Sequence, residues 1–161
     1  MRRTAQCLLI ALCGLSPVLV SAADDVPTQR IEDRIAIERL LVEYGRTLDN
    51  RDFAAYSHLF AENGEWKGAL GTYRGPAAIQ AAMERIFTDA AADIPKGKNF
   101  HVMSNFVIDV QGDRATASSM FIFYKLDKSK PEAAVAGRYE DILVREKGVW
   151  RFLQRNALPP G

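Results

Sequence analysis

Histidine occurs twice in this chain, at positions 58 and 101. His101 heads the run Asn99-Phe-His-Val-Met-Ser-Asn-Phe-Val-Ile-Asp-Val110, which alternates like a strand. Upstream, Tyr44 and Asp49 fall on one predicted helix. Brought together, these three side chains form a base, a carboxylate that orients it and a phenol that donates a proton. Beta-elimination, or enolisation beside a carbonyl, needs a base of near-neutral pKa held against an acidic C–H. Imidazole starts at about 6.5, and a carboxylate on its distal nitrogen fixes the tautomer and raises its basicity.

Each residue also has a plainer reading. Asp49 can simply close its helix, although Asp52 is the more natural N-cap of the next one. On an ideal helix Tyr44 and Asp49 point about 140° apart. They converge only if a pocket wraps the helix end; otherwise Tyr44 belongs to the core. Arg155 competes with Tyr44 as the group that meets a developing oxyanion or leaving group. Its alternative is an outward salt bridge, since Arg151 shares its parity on the last predicted strand. Trp66, Met103, Phe121 and Tyr139 are candidates to line an apolar substrate slot, with an ordinary core position the alternative for Trp66. His58, between Ser57 and Leu59, reads as a surface residue.

Other chemistries find no support. Two histidines 43 positions apart, with no His-x-x-x-His pair, make no metal site. Gly68 to Gly75 lacks dinucleotide and phosphate-loop spacing, and no Gly-x-Ser-x-Gly is present. No cofactor is expected. The formal charge of +1 leaves no footprint for nucleic acid, and no basic stripe addresses a membrane surface.

Residues 1–23 read as an export signal. Arg2 and Arg3 precede an apolar run from Cys7 to Val20, with small residues for cleavage near Ala22 or Ala23. Cleavage removes two arginines and no acids, so the charge moves from +1 to −1. It also removes Cys7 and Cys13, the only cysteines, and with them disulfide and thiol chemistry. The expected mature protein is one exported domain, residues 24–161, periplasmic or secreted and without a membrane anchor.

After a polar lead-in, Ile31, Ile35, Leu40, Leu41, Tyr44 and Leu48 recur at helical spacing up to Asp49. Asp52 opens a shorter helix with Phe53, Tyr56, Leu59 and Phe60 on its buried face. Glu62-Asn-Gly64 is expected to turn before a short strand through Trp66, and Gly75-Pro76 opens a third helix. Four strands follow, over 99–110, 114–126, 133–145 and 149–156, with turns at 111–113, 127–132 and 146–148. Helices first and an antiparallel meander after define an α+β class.

Two strands are apolar on both faces. His101, Met103 and Val107 oppose Phe100, Val102, Phe106, Ile108 and Val110, and Met120, Ile122, Tyr124 and Leu126 oppose Phe121 and Phe123. A sheet covered by helices on one side shows water a polar second face. An apolar second face predicts a homo-oligomer, dimer or trimer.

Tyr44-Gly-Arg-Thr-Leu-Asp49, Leu59-Phe-Ala-Glu-Asn-Gly-Glu-Trp66, Gly71-Thr-Tyr-Arg-Gly-Pro76, Phe100-His101 and Gly148-Val-Trp-Arg-Phe-Leu-Gln-Arg155 resemble the SnoaL-like branch of the NTF2-like superfamily. The resemblance implies a cone in which three N-terminal helices pack on a curved antiparallel sheet. Within the branch the pattern is similar to the lyases of the scytalone dehydratase, bile-acid 7α-dehydratase and hexachlorocyclohexane dehydrochlorinase type. In those, an aspartate ending the first helix pairs with a strand histidine, which implies those roles for Asp49 and His101. Tyr44, Trp66 and Arg155 match further positions of individual members. The second histidine of scytalone dehydratase has no counterpart in Ala136-Gly-Arg-Tyr-Glu140. The expected function is a cofactor-independent lyase or isomerase acting on a small, mostly apolar molecule. The alternatives are a noncatalytic binder using the same pocket and, more remotely, an assembly role for the apolar sheet face.

Overall fold

The first helical segment is longer than its apolar stripe. In the computed structural model, which describes residues 25–89, 94–128 and 130–161, helix α1 runs Asp25–Asp49. It begins before the stripe, with Pro27 in the first turn, where a missing N–H breaks no helical bond. The predicted export signal lies outside the described residues. Ile37, Leu40, Leu41, Tyr44 and Leu48 are buried, whereas Ile31 and Ile35 face solvent. In their place α1 buries Asp33, whose carboxylate accepts hydrogen bonds from Arg145 at 2.6 Å, Trp150 Nε1 at 3.1 Å and Gln29 at 3.1 Å.

Helix α2 is short, Phe53–Ser57, and Asp52 caps it by accepting from the Ala55 N–H at 3.0 Å. Leu59 and Phe60 lie beyond it, because the chain has already turned into strand β1, Phe60–Gly68. The expected turn at Glu62-Asn-Gly64 is absent. A register shift between Phe60 and Glu65 absorbs those residues within the strand. Gly64 is required there, since a Cβ would lie 2.7 Å from the Phe152 carbonyl oxygen. Strand β2, Gly71–Arg74, folds back on β1, and helix α3, Pro76–Thr88, follows with Ile79, Ala82 and Met83 buried.

Strands β3 (Asn99–Gln111), β4 (Arg114–Asp127), β5 (Lys130–Glu146) and β6 (Val149–Leu158) form the meander. The β4–β5 hairpin is tighter than the expected 127–132 loop, pairing Asp127 with Lys130. The six-stranded sheet has the order β2-β1-β6-β5-β4-β3 and is antiparallel except where β1 runs parallel to β6. Register shifts in β1, β3 and the β4–β5 and β5–β6 ladders curve the sheet around α1, as bulges do.

The β3 bulge corrects the two-faced reading of that strand. Asn105 takes a left-handed φ of 56° and the register slips between Ser104 and Val107. One extra residue inverts the facing beyond it. Phe106, Ile108 and Val110 therefore join Met103 against the core, and Val107 turns out to solvent.

Burial acts to raise the Asp33 carboxyl, but the hydrogen bonds from Arg145, Trp150 and Gln29 outweigh it and hold it below its ordinary 3.8. With a depressed folded value, this stabilisation is complete above pH 3.8 and is lost as pH falls through the folded value. Asp33→Asn is expected to cost about 2 kcal/mol at pH 7 by urea denaturation. The gap to wild type should narrow below pH 4; a constant gap down to pH 2 would refute the linkage.

Candidate active site

Asp49 ends α1, where helix carbonyls crowd and a carboxylate is disfavoured by the macrodipole. Its surroundings compensate with three donors. The His101 N–H donates to Oδ2 at 2.8 Å, Asn99 Nδ2 to Oδ1 at 2.8 Å, and His101 Nδ1 lies 2.6 Å from Oδ1. A carboxylate only accepts, so Nδ1 carries the proton and Nε2 is left as the basic nitrogen. Asn99 and His101 are two apart on β3, which puts both on the face toward α1. One turn before Asp49, Gly45 lets the strand approach: a Cβ there would stand 3.3 Å from His101 Cβ and 3.5 Å from Met103 Sδ. The imidazole is 7% exposed and tilts against Phe123, with ring centroids 4.9 Å apart.

A second cluster occupies the centre of the fold. Arg155 is wholly buried and donates through Nε and Nη2 to the two oxygens of Asp141, at 2.8 and 2.9 Å. Its guanidinium lies 4.0 Å from the ring centroids of both Tyr44 and Tyr139. Arg155 therefore points inward, not to a surface partner. Among the described residues its Nη1 is buried without a hydrogen-bond partner, as are Tyr56 Oη and Ser119 Oγ. Burial pushes the Asp141 carboxyl up, opposed by Arg155. Burial also holds the Tyr56 and Tyr139 phenols well above their usual range, so both keep their protons.

Tyr44 belongs to this second cluster. Its hydroxyl accepts from Trp66 Nε1 at 3.0 Å and takes no part in the hydrogen bonds around Asp49. Phe121 connects the two groups. It stacks on Tyr139 at 4.4 Å and lies 6.4 Å from the His101 ring. Gly137 makes that stack possible, since a Cβ would meet the Phe121 ring at 2.6 Å. Trp66, Phe121 and Tyr139 are thus packed in the core, with Met103 half-buried beside Gly45. Open clefts of about 620 Å³ beside Asp33 and Arg145, and about 270 Å³ beside Lys98 and Glu132, include neither His101 nor Arg155 in their walls. Among the described residues no group of three His, Cys, Asp or Glu could hold a metal ion. His58 is exposed, with Nδ1 against the Ala54 carbonyl at 2.7 Å.

Sequence reasoning did not single out Asn99, Tyr56, Ser119 or Asp141. Asn99 was accessible through its parity with His101. Asp141 becomes visible only with the β5–β6 register, which pairs it with Arg155.

Helices packed against a curved six-stranded sheet around a polar centre are the NTF2-like fold. The chain belongs to the SnoaL-like domain family, whose profile matches residues 29–156. The uncharacterized protein Rv2910c of Mycobacterium tuberculosis is 28% identical over 132 residues, 78% of this chain and 84% of that protein. Among solved structures, an NTF2-like protein with a cystatin-like fold from Novosphingobium aromaticivorans superposes with a TM-score of 0.75 at 23% identity, covering 86% of this chain and 90% of that one. A variant of Rv3472, a protein of unknown function from Mycobacterium tuberculosis, gives 0.70 at 25% identity, covering 85% and 76%.

Removing the counter-charge of a buried cation costs about 3–5 kcal/mol, whereas replacing both partners by apolar residues is often neutral. Asp141→Asn is therefore expected to lose stability on that scale by urea denaturation. Asp141→Leu combined with Arg155→Met should recover most of it. A double variant as unstable as Asp141→Asn would show that the pair is not the origin of the loss.

Proposed function

We propose that this protein is a cofactor-independent lyase of the dehydratase type, or an isomerase, acting on a small and mostly apolar molecule of steroid-like, polyketide-like or aromatic character. One observation carries the reading: the 2.6 Å contact that fixes His101 Nδ1 on Asp49, with no hydrogen bond to Nε2 among the described residues. Nε2 takes the acidic proton, Asp49 holds the imidazole, and the C–H electron pair moves into the new double bond or the enolate. In elimination the leaving group departs with its bonding pair. Arg155, whose Nη1 is unpartnered among the described residues, or Tyr44, whose hydroxyl proton is not engaged by Trp66, meets the oxyanion or leaving group. A second reading, noncatalytic binding, draws on the two open clefts, whose walls include neither His101 nor Arg155.

A thermal-shift screen of hydroxylated steroids, aromatics and halogenated compounds identifies ligands to assay for turnover. His101→Ala and Asp49→Asn are expected to abolish turnover while ligand affinity stays within about tenfold. If both variants turn over the true substrate like wild type, the enzyme reading fails and binding stands.

The first residues support export, with cleavage near Ala22 or Ala23. Assembly is proposed through the outer sheet face, where Val102, Val107 and Ile142 are exposed and Phe100 stacks on Tyr124 at 5.1 Å. Since the β3 bulge turns Phe106, Ile108 and Val110 inward, this patch is smaller than the sequence pattern implied. Sedimentation should give a dimer or trimer at micromolar concentration, and Val102→Lys should shift it toward monomer. A monomeric wild type would reject the interface.

A further inference from the structure

We propose that Asn99 is a positioning residue for the Asp49–His101 pair, an inference that rests on reading those two as the reacting dyad. Asn99 is buried, and its side chain turns inward from the edge strand of the sheet to donate Nδ2 to Asp49 Oδ1 at 2.8 Å. That is the oxygen His101 Nδ1 contacts at 2.6 Å. The amide orientation follows from chemistry, since its oxygen cannot face a carboxylate oxygen. The consequence is that Asn99 Oδ1 is left buried without a donor among the described residues. An orphaned buried carbonyl is destabilising, so pinning α1 to β3 does not by itself explain an amide here.

The arrangement does explain it. The His101 N–H holds Oδ2, and Asn99 holds Oδ1. With both oxygens anchored, the carboxylate cannot rotate about its Cβ–Cγ bond, and Oδ1 stays aimed at Nδ1. Asn99 also draws on the charge of Oδ1, so the imidazole shares that oxygen with a neutral donor. An aspartate at this position would place two carboxylates together, and an aliphatic residue would release Oδ1.

The test is the low-field imidazole N–H proton resonance in the NMR spectrum of the full chain. His58→Gln assigns it, since only two histidines are present. Wild type is expected to show the His101 Nδ1–H signal. Asn99→Leu and Asn99→Ala, folded by circular dichroism, should lose or displace it. A purely structural Asn99 leaves the signal unmoved in the folded variants, which overturns the proposal. Should both variants fail to fold, the wild-type Asn99 Nδ2 protons decide. Slow exchange and displacement on Asp49→Asn support the assignment, and free exchange overturns it. Once a substrate is known, Asn99→Leu should lower kcat about tenfold with KM little changed. An inactive protein with the expected resonances loses the function reading but keeps this one. An active enzyme with an unmoved resonance loses only this one.

Discussion

A guanidinium with no exposed surface sits where the sheet and α1 meet, and much of the interior is arranged around it. Moving such a charge out of water is costly unless an anion and further polarisable contacts receive it. Asp141 supplies the anion from the neighbouring strand, in the register that pairs it directly with Arg155. Tyr44, Tyr139 and Phe152 supply aromatic faces within 4.0 to 4.3 Å. Guanidinium is suited to this role because it is planar, weakly hydrated and charged at any ordinary pH. Lysine at this position would neither stack on the rings nor grip both carboxylate oxygens.

Once the cation is placed, its neighbours constrain one another. Trp66 pairs with Arg155 across the parallel β1–β6 ladder and donates to Tyr44, which ties the first strand to α1. Tyr139 carries the stacking on to Phe121, and Phe121 carries it to His101. The imidazole is therefore fixed from two sides, by an aromatic wall and by the end of α1. Close approach on each side depends on an absent Cβ, at Gly137 beneath Phe121 and at Gly45 against His101. Ala or Ser at Gly137 would displace the Phe121 ring, whereas at Gly45 it would press on His101 itself.

The fold class, the helix ending at Asp49, the Asp52 cap, the Gly75-Pro76 start and the turns at Gly112 and Gly148 were legible because each rests on local chemistry. So was the meeting of Asp49 with His101, since the resemblance supplied the register that spacing alone did not. What escaped was set by long-range pairing. Asp33 interrupts an apolar stripe because Arg145 and Trp150 wait for it on strands more than a hundred residues away. Glu62-Asn-Gly64 looks like a turn, yet β1 continues through it because β6 lies alongside. The β3 bulge carries no Gly or Pro. Asn105 is its only local sign, and asparagine is among the few residues that accept a left-handed φ. The direction of Arg155 was undecidable from parity for the same reason, since register shifts in the β5–β6 and β1–β6 ladders break the alternation on which parity depends.

A core of this kind sits between structure and chemistry. Hydrogen-bonding groups that serve only stability find partners, and here Asp33 and Asp141 do. Arg155 Nη1, Tyr56 Oη, Ser119 Oγ and Asn99 Oδ1 find none among the described residues, although all are buried. Three of these belong to the central cluster or the adjoining inner sheet face, and the fourth to the residue that holds Asp49. Unsatisfied polar atoms in an interior are destabilising, and a fold selected for stability alone would replace them with apolar groups. These atoms are the hydrogen-bonding capacity that the described part of the interior leaves unused.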